Sequence, residues 1–478
     1  MSAPGSEFLR AAAEQSADLA RRETVRRAIQ HYERAVEQGR ARFLDWEAAR
    51  QKCHEIKWDA IHHLDKYLLQ FEQRVAARGG RIFWAETAED ARRYITDLAN
   101  QRAVRTVVKS KSMVAEEIHL TPALEAIGAR VFETDLGEFI VQLRDEPPFH
   151  IVTPAMHLTR ADIAKLFAEK LSGAAEGGTS DDPRELVAAA RRALRREFFA
   201  AEMGITGANF LVADCGMVAV TTNEGNDRLG TALPRIHVAI AGIEKVLPRL
   251  EDLAIFWPVL ATAGTGQAIT CYNTLIGGPR SANEPDGPGE FHVVLLDNGR
   301  TELLADEEER DALACIRCGA CLNACPVFRT IGGHAYGTTY SGPIGSVITP
   351  HLRGLGSFAH LSYASSLCGA CTAVCPVKID LHHHLLRNRR NAVRSADRPW
   401  LERVAFKIWR WTVSSPLRFR AAGSIGRAMA RALYSMGLAG TALDPLRPWT
   451  RYRAALDIPR RSFRALWRER GNARASRT

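Results

Sequence analysis

At 478 residues the chain exceeds what one ordinary hydrophobic core organises, which predicts two or three domains. Its 46% apolar and 25% charged residues are ordinary for a soluble globular protein, and no stretch approaches the roughly 18 consecutive apolar residues of a spanning helix. The opening MSAPGSEFLRAAAEQSADLARRE lacks the apolar core of a secretory signal, so a cytosolic protein is the expectation. The net charge of +10 is uneven: from Arg387 onward 22 Lys and Arg face 5 Asp and Glu, a balance of +17, which leaves −7 for residues 1–386.

Residues 1–78 carry apolar positions at helical spacing, as in Ile56, Ala60, Ile61, Leu64, Leu68 and Phe71, and predict a helical segment that ends at Gly79-Gly80. Residues 79–300 alternate instead. RIFWAET predicts a strand, AEDARRYITDLANQ a helix, and RTVVKSKS a strand running into a turn. MVAEEIHLTPALEAIG reads as helical, ARVFETDL and EFIVQL as short β runs, and FLVADCGMVAVTT, HVAIAGIEKVL and FHVVLLDNG continue to the end. This alternation predicts a layered α/β domain, with residues 172–184 as a polar surface loop.

Seven of the ten cysteines fall between residues 315 and 375, in a region spanning 305–385. In a chain without a secretory signal, such clustering favours metal binding over disulfides. The first run is C-x2-C-x2-C-x3-C-P: Cys315, Cys318, Cys321, Cys325 and Pro326. Spacing by two lets a tight loop wrap three thiolates around one iron–sulfur cube, while the fourth points away. In two-cluster ferredoxins that fourth cysteine ligates the other cluster. The rule gives cluster I Cys315, Cys318, Cys321 and Cys375, and cluster II Cys325, Cys368 and Cys371. Structural zinc sites use cysteine pairs around one ion, which explains two tandem runs less well.

Cluster II lacks a cysteine where Ser365 stands. Four arrangements satisfy that gap: a 3Fe-4S cluster, an oxygen ligand from Ser365 or Ser366, a histidine such as His334, or an exchangeable or partner-supplied ligand. A fifth reading makes Ser365 a small turn residue only. Two adjacent clusters with no catalytic constellation beside them argue for single-electron relay.

CIRCGACLNACPVF, IGGHAYGTTYSGPIGSVITP and SYASSLCGACTAVCPVKIDL together resemble the lactate utilisation protein B family. KSKSMVAEEIHL, ETDLGEFIVQL, HIVTPAMHL and ITGANFLVADCGMVAVTTNEGN are similar to that family's LUD domain, and the Arg- and Trp-rich tail to its C-terminal region. The resemblance implies a ribose-phosphate isomerase/CoA-transferase-like α/β fold, followed by a helical, ferredoxin-like dicluster domain and a basic helical tail. It also implies two 4Fe-4S clusters, with serine the family's own residue at position 365. The implied activity is electron transfer within a cytosolic three-part system that oxidises L-lactate to pyruvate, with the other subunits as partners.

Weaker features carry plainer readings. ATAGTGQAIT, with Gly264 and Gly266, reads as a turn more than a phosphate cradle, being neither GxGxxG nor a Walker motif. Lys109 and Lys111 of KSKS read as surface lysines before an anion site, and Glu116, Glu117 and His119 as exposed. Cys53, Cys215 and Cys271 read as buried free thiols, and His382, His383 and His384 as a helix surface. In the basic region 386–478, Trp400, Trp409, Trp411, Trp449 and Trp467 among arginines favour docking to an acidic partner, then contact with an anionic membrane surface. No nucleic-acid motif accompanies them. A rival reading makes the α/β domain an enzyme acting on a phosphate or CoA compound, with the clusters as redox sensors.

Overall fold

Apolar, β-branched runs joined by helices can only pair in parallel, because each helix carries the chain back to the strand's starting end. In the computed structural model, which describes residues 4–171, 180–394, 400–442, 444–450, 453–454 and 457–475, ten strands form in chain order. They are β1 (Arg81–Ala85), β2 (Thr106–Lys109), β3 (Arg130–Glu133), β4 (Met203–Gly207), β5 (Phe210–Val212), β6 (Met217–Thr222), β7 (Ile236–Gly242), β8 (Val246–Leu247), β9 (Tyr272–Ile276) and β10 (Glu290–Leu296).

The main sheet has the order β1-β10-β7-β4-β2-β3, and every pairing in it is parallel. A smaller sheet, β8-β5-β6-β9, is mixed. Every residue of β7 is buried, as expected for a central strand covered on both faces. The chain runs outward from β2 to β3, returns at β4, and then runs the other way through β7 and β10. That reversal opens a crevice between the carboxyl ends of β2 and β4.

The helix Ala88–Gln101 forms as predicted, and Thr87 starts it with a reciprocal capping box to Asp90. Two sequence readings are corrected. EFIVQL is not a β run but most of the helix Leu136–Leu143, because the Asp135 carboxylate accepts the N–H groups of Gly137 and Glu138 at 3.0 and 3.2 Å. ATAGT is not a loop but the end of the helix Leu253–Thr265, which Gly266 stops at φ +79°. A Cβ on Gly266 would stand 2.2 Å from the Ala35 carbonyl carbon, so the close approach requires glycine. Of the predicted loop 172–184, residues 172–179 lie outside the described residues, and the helix Pro183–Ala200 takes up its last two positions.

The N-terminal stretch forms four helices: Pro4–Ala17, Leu19–Arg40, Trp46–His62 and Leu64–Ala77. Their apolar faces diverge. Leu68, Phe71 and Val75 pack on the main sheet with Ala239 and Val293. Val25, Ile29, Cys53 and Ile56 share one continuous core with the cysteine region. Residues 1–394 make one unit and 395–478 another. The second unit is helical, with Trp400–Val413, Pro416–Ser435, Arg447–Thr450 and Phe463–Ala475. Its five tryptophans are exposed, and Arg418 and Arg453 lie 4.5 and 4.0 Å over the rings of Trp411 and Trp449. Among the described residues, no helix is long and apolar enough to cross a membrane.

Candidate iron–sulfur centre

The two cysteine runs repeat in backbone as well as in sequence. Arg317 and Leu367, each just before a Cys-Gly-Ala-Cys, have φ of +61° and +55°. Gly319 and Gly369 follow at +78° and +79°, and each launches a five-residue helix, Ala320–Ala324 or Ala370–Val374. Glycine is needed there because the turn that aims two thiols at one centre passes through the left-handed region.

Cys315, Cys318 and Cys321 line one cavity together with Cys375 from the second run. Its other walls are largely apolar, including Ile151, Ile344, Val377 and Leu381. Burial raises the Cys321 thiol well above its usual range, and repulsion from Cys315, Cys318 and Cys375 adds to it. The Cys375 thiol is pushed up to about 12, again by burial first, and Cys315 adds to the rise. Cys325, Cys368 and Cys371 form the second group. Burial pushes Cys371 up to about 11, with Cys325 and Cys368 contributing. Cys368 is exposed, and the Ala370 N–H, followed by the Ser366 hydroxyl, lowers its thiol.

The donor set fits a cube rather than a single ion. Four sulfurs around zinc stand about 3.8 Å apart, from Zn–S bonds of about 2.3 Å. Among the described residues, the sets that bring three ligand atoms within 4.8 Å are Glu146, His157 and His334, and Asp380, His382 and His383; neither contains a cysteine. The thiols are therefore spread wider than one ion's shell, in a pocket without carboxylates. Backbone N–H groups already point at sulfur, as with Ile379 to Cys375 Sγ at 3.3 Å and Arg317 to Cys315 Sγ at 3.4 Å.

Elements distant in sequence hold these loops. Arg50, on the helix Trp46–His62, donates to the Cys375 carbonyl at 3.0 and 2.7 Å. Lys378 reaches back to Glu47 at 2.6 Å. The insert between the runs places buried Tyr336 close enough to Cys325 and Cys321 for their charges to raise its phenol further, after burial. His334 is turned elsewhere: its Nε2 bonds the Pro147 carbonyl at 2.8 Å, beside His157 and Glu146.

Several plain readings are corrected. Lys109 is no surface lysine: its side chain is fully buried, with Glu133 at 2.8 Å and Glu116 at 3.1 Å. Glu117 is buried too, paired with Arg300 at 2.7 Å and accepting from the Tyr340 hydroxyl at 2.6 Å, whereas His119 is exposed. Cys53 is buried, but Cys215 is half-buried and Cys271 exposed. Of the three histidines, His384 faces inward between Glu309 and Asp311, each at 2.6 Å. Arg50, Lys245, Arg317 and Tyr340 were not singled out from the sequence; Arg317, inside CIRCGAC, and Tyr340, inside IGGHAYGTTYSGPIGSVITP, stood within its motifs.

Sequence profiles divide the chain in the same order. The LUD domain matches residues 68–296, the 4Fe-4S dicluster domain 311–379, and "Lactate utilisation protein B, C-terminal" 383–472. A protein named lactate utilization protein B from Geobacillus kaustophilus is 44% identical over 411 residues, 85% of each chain. The chain belongs to the lactate utilization protein B family. Family members from Geobacillus thermodenitrificans and Bacillus cereus are 43% and 44% identical over 89% and 85% of each chain. Among solved structures, a DUF162 family protein from Deinococcus radiodurans aligns at 13% identity over 49% of this chain and 98% of that one, but a TM-score of 0.25 is too low to bear on the fold.

Proposed function

We propose that the chain is the iron–sulfur electron-transfer subunit of a cytoplasmic lactate utilization complex, relaying electrons as a partner subunit oxidises L-lactate to pyruvate. The observation that carries this reading is the apolar cavity lined by three thiols of one run and the last thiol of the other. Cluster I is assigned to Cys315, Cys318, Cys321 and Cys375. Cluster II is assigned to Cys325, Cys368 and Cys371, with Ser365 Oγ completing it. A cubane pair supplies single-electron steps, and its potentials follow burial and N–H···S bonds. The chain's own residues bury the sulfurs, orient them through left-handed turns and clamp the second run through Arg50.

The tail's exposed tryptophans and arginines suit docking to an acidic face of another subunit. The test is iron and sulfide content with electron paramagnetic resonance (EPR) on anaerobically purified protein. About eight irons per chain, with signals on reduction, supports two four-iron clusters. Zinc in place of iron overturns the reading, and an isolated protein that reduces a dye with L-lactate overturns relay alone.

A further inference from the structure

The carboxyl ends of β2, β3, β4 and β7 surround a second cavity of about 480 Å³, within the roughly 300–1,000 Å³ of small-molecule sites. It lies where the strand order reverses, between Ser110 after β2 and Asn209 after β4, the place where open α/β sheets hold ligands. It shares three wall residues, Ile151, Arg317 and Cys318, with the four-cysteine cavity.

Its polar lining is incomplete. Ser110 is buried, and its hydroxyl has no hydrogen-bond partner. The Arg317 side chain is 10% exposed; it meets Glu244 at 3.4 Å through Nη2, while its buried Nη1 is unpartnered. Lys245 is buried beside it, and burial, then Arg317, bring its ammonium down to about 8. Lys111 also lines the cavity, donating to the Val152 carbonyl at 2.7 Å. Two acids, Asp135 and Glu224, also line the cavity, and burial, then Asp135, raises Glu224 to about 7. A buried donor without an acceptor is costly, so Ser110 Oγ and Arg317 Nη1 together favour a bound acceptor.

We propose that this cavity is a binding site for an organic anion, whose carboxylate or phosphate is held by Arg317 and Lys245 against the wall shared with Cys318. Cys318, assigned to cluster I, lines this cavity too, so binding there is readable in that cluster's spectrum. The site is walled by the α/β domain and the cysteine region together, and its argument is independent of the role in lactate oxidation.

The experiment uses the full-length, cluster-loaded protein. L-lactate and pyruvate are the carboxylate probes, and adenosine 5′-phosphate and riboflavin 5′-phosphate the phosphate probes. Calorimetry reads binding, and EPR of the reduced protein reads the cluster. The expected result is saturable binding of one equivalent from one arm, with a shifted cluster signal; the arm that binds names the anion. Lys245→Met then weakens binding at least tenfold. Ser110→Ala removes a hydroxyl that bonds nothing in the protein, so it leaves the melting temperature unchanged and weakens binding about threefold or more. No saturable binding from either arm at millimolar concentration overturns the site, as does binding that both variants leave unaltered. Neither result touches the electron-relay reading, which iron content and dye reduction test separately.

Discussion

The backbone N–H of Leu367 donates to Ser365 Oγ at 3.1 Å, in the place where the N–H of Arg317 meets Cys315 Sγ at 3.4 Å. The two turns share their positive φ, so the serine oxygen stands where the first run has its leading sulfur. That placement supports the proposal that this oxygen is the fourth ligand of cluster II. Ser365→Ala is expected to lower the content from about eight irons to about seven and to produce an EPR signal in the oxidised state. Ser365→Cys should keep about eight irons and change the reduced spectrum. An alanine variant with full iron and an unaltered spectrum would reduce Ser365 to a turn residue.

His384 predicts a pH-dependent stability. Its hydrogen bonds to Asp311 and Glu309, aided by their charges, outweigh burial and raise the imidazole from about 6.5 to about 9. The group binds its proton more tightly folded than unfolded. Its contribution, roughly 3 kcal/mol, is full below about pH 6.5 and is lost as pH rises through about 9. Chemical denaturation from pH 6 to 9.5 should show that decline, and His384→Gln should flatten it.

Arg300 joins three segments. Its Nε donates to Glu244 at 2.7 Å, and Nη1 and Nη2 to Glu117 at 3.0 and 2.7 Å, with both partners buried. Arg300→Met leaves two carboxylates without their main cation, and such losses cost about 3–5 kcal/mol. The midpoint of urea unfolding should fall accordingly; a change under about 1 kcal/mol would mean that water or another cation replaces the guanidinium.

Gly333 touches Phe149 so closely that a Cβ would lie 1.7 Å from the Phe149 carbonyl oxygen, which is backbone and cannot swing aside. Gly333→Ala should therefore displace the insert carrying Tyr336, lower stability by about 3 kcal/mol, and lower the iron retained on purification. Differential scanning calorimetry with iron analysis reads both effects.

What the sequence disclosed follows the reach of its signals. Thr87 and Asp90 sit three residues apart and mark the start of the helix Ala88–Gln101. The cysteine runs announce themselves by spacing alone. EFIVQL misled because its apolar run suits either period, and Asp135, three residues ahead of it, decided for the helix. Glu117 and His384 read as surface residues because their neutralising partners lie far along the chain, whereas Lys109 meets Glu116 only seven residues on and is hidden by the folding of the strand it ends. Glu117 meets Arg300 183 residues later, and His384 meets Glu309 75 residues earlier. The cavity at the ends of β2 and β4 was hidden for the same reason, since strand order is not written in strand composition.

The clasp of Arg50 on the Cys375 carbonyl has a consequence in time. The two residues are 325 positions apart, so at roughly 5–20 residues per second the ribosome takes roughly 15–65 seconds to deliver the second after the first. Through that interval the helix Trp46–His62 waits without its last neighbour, and the cavity begun by Cys315 lacks its fourth wall. Iron and sulfide can enter a finished cage only after nearly four-fifths of the chain has been made.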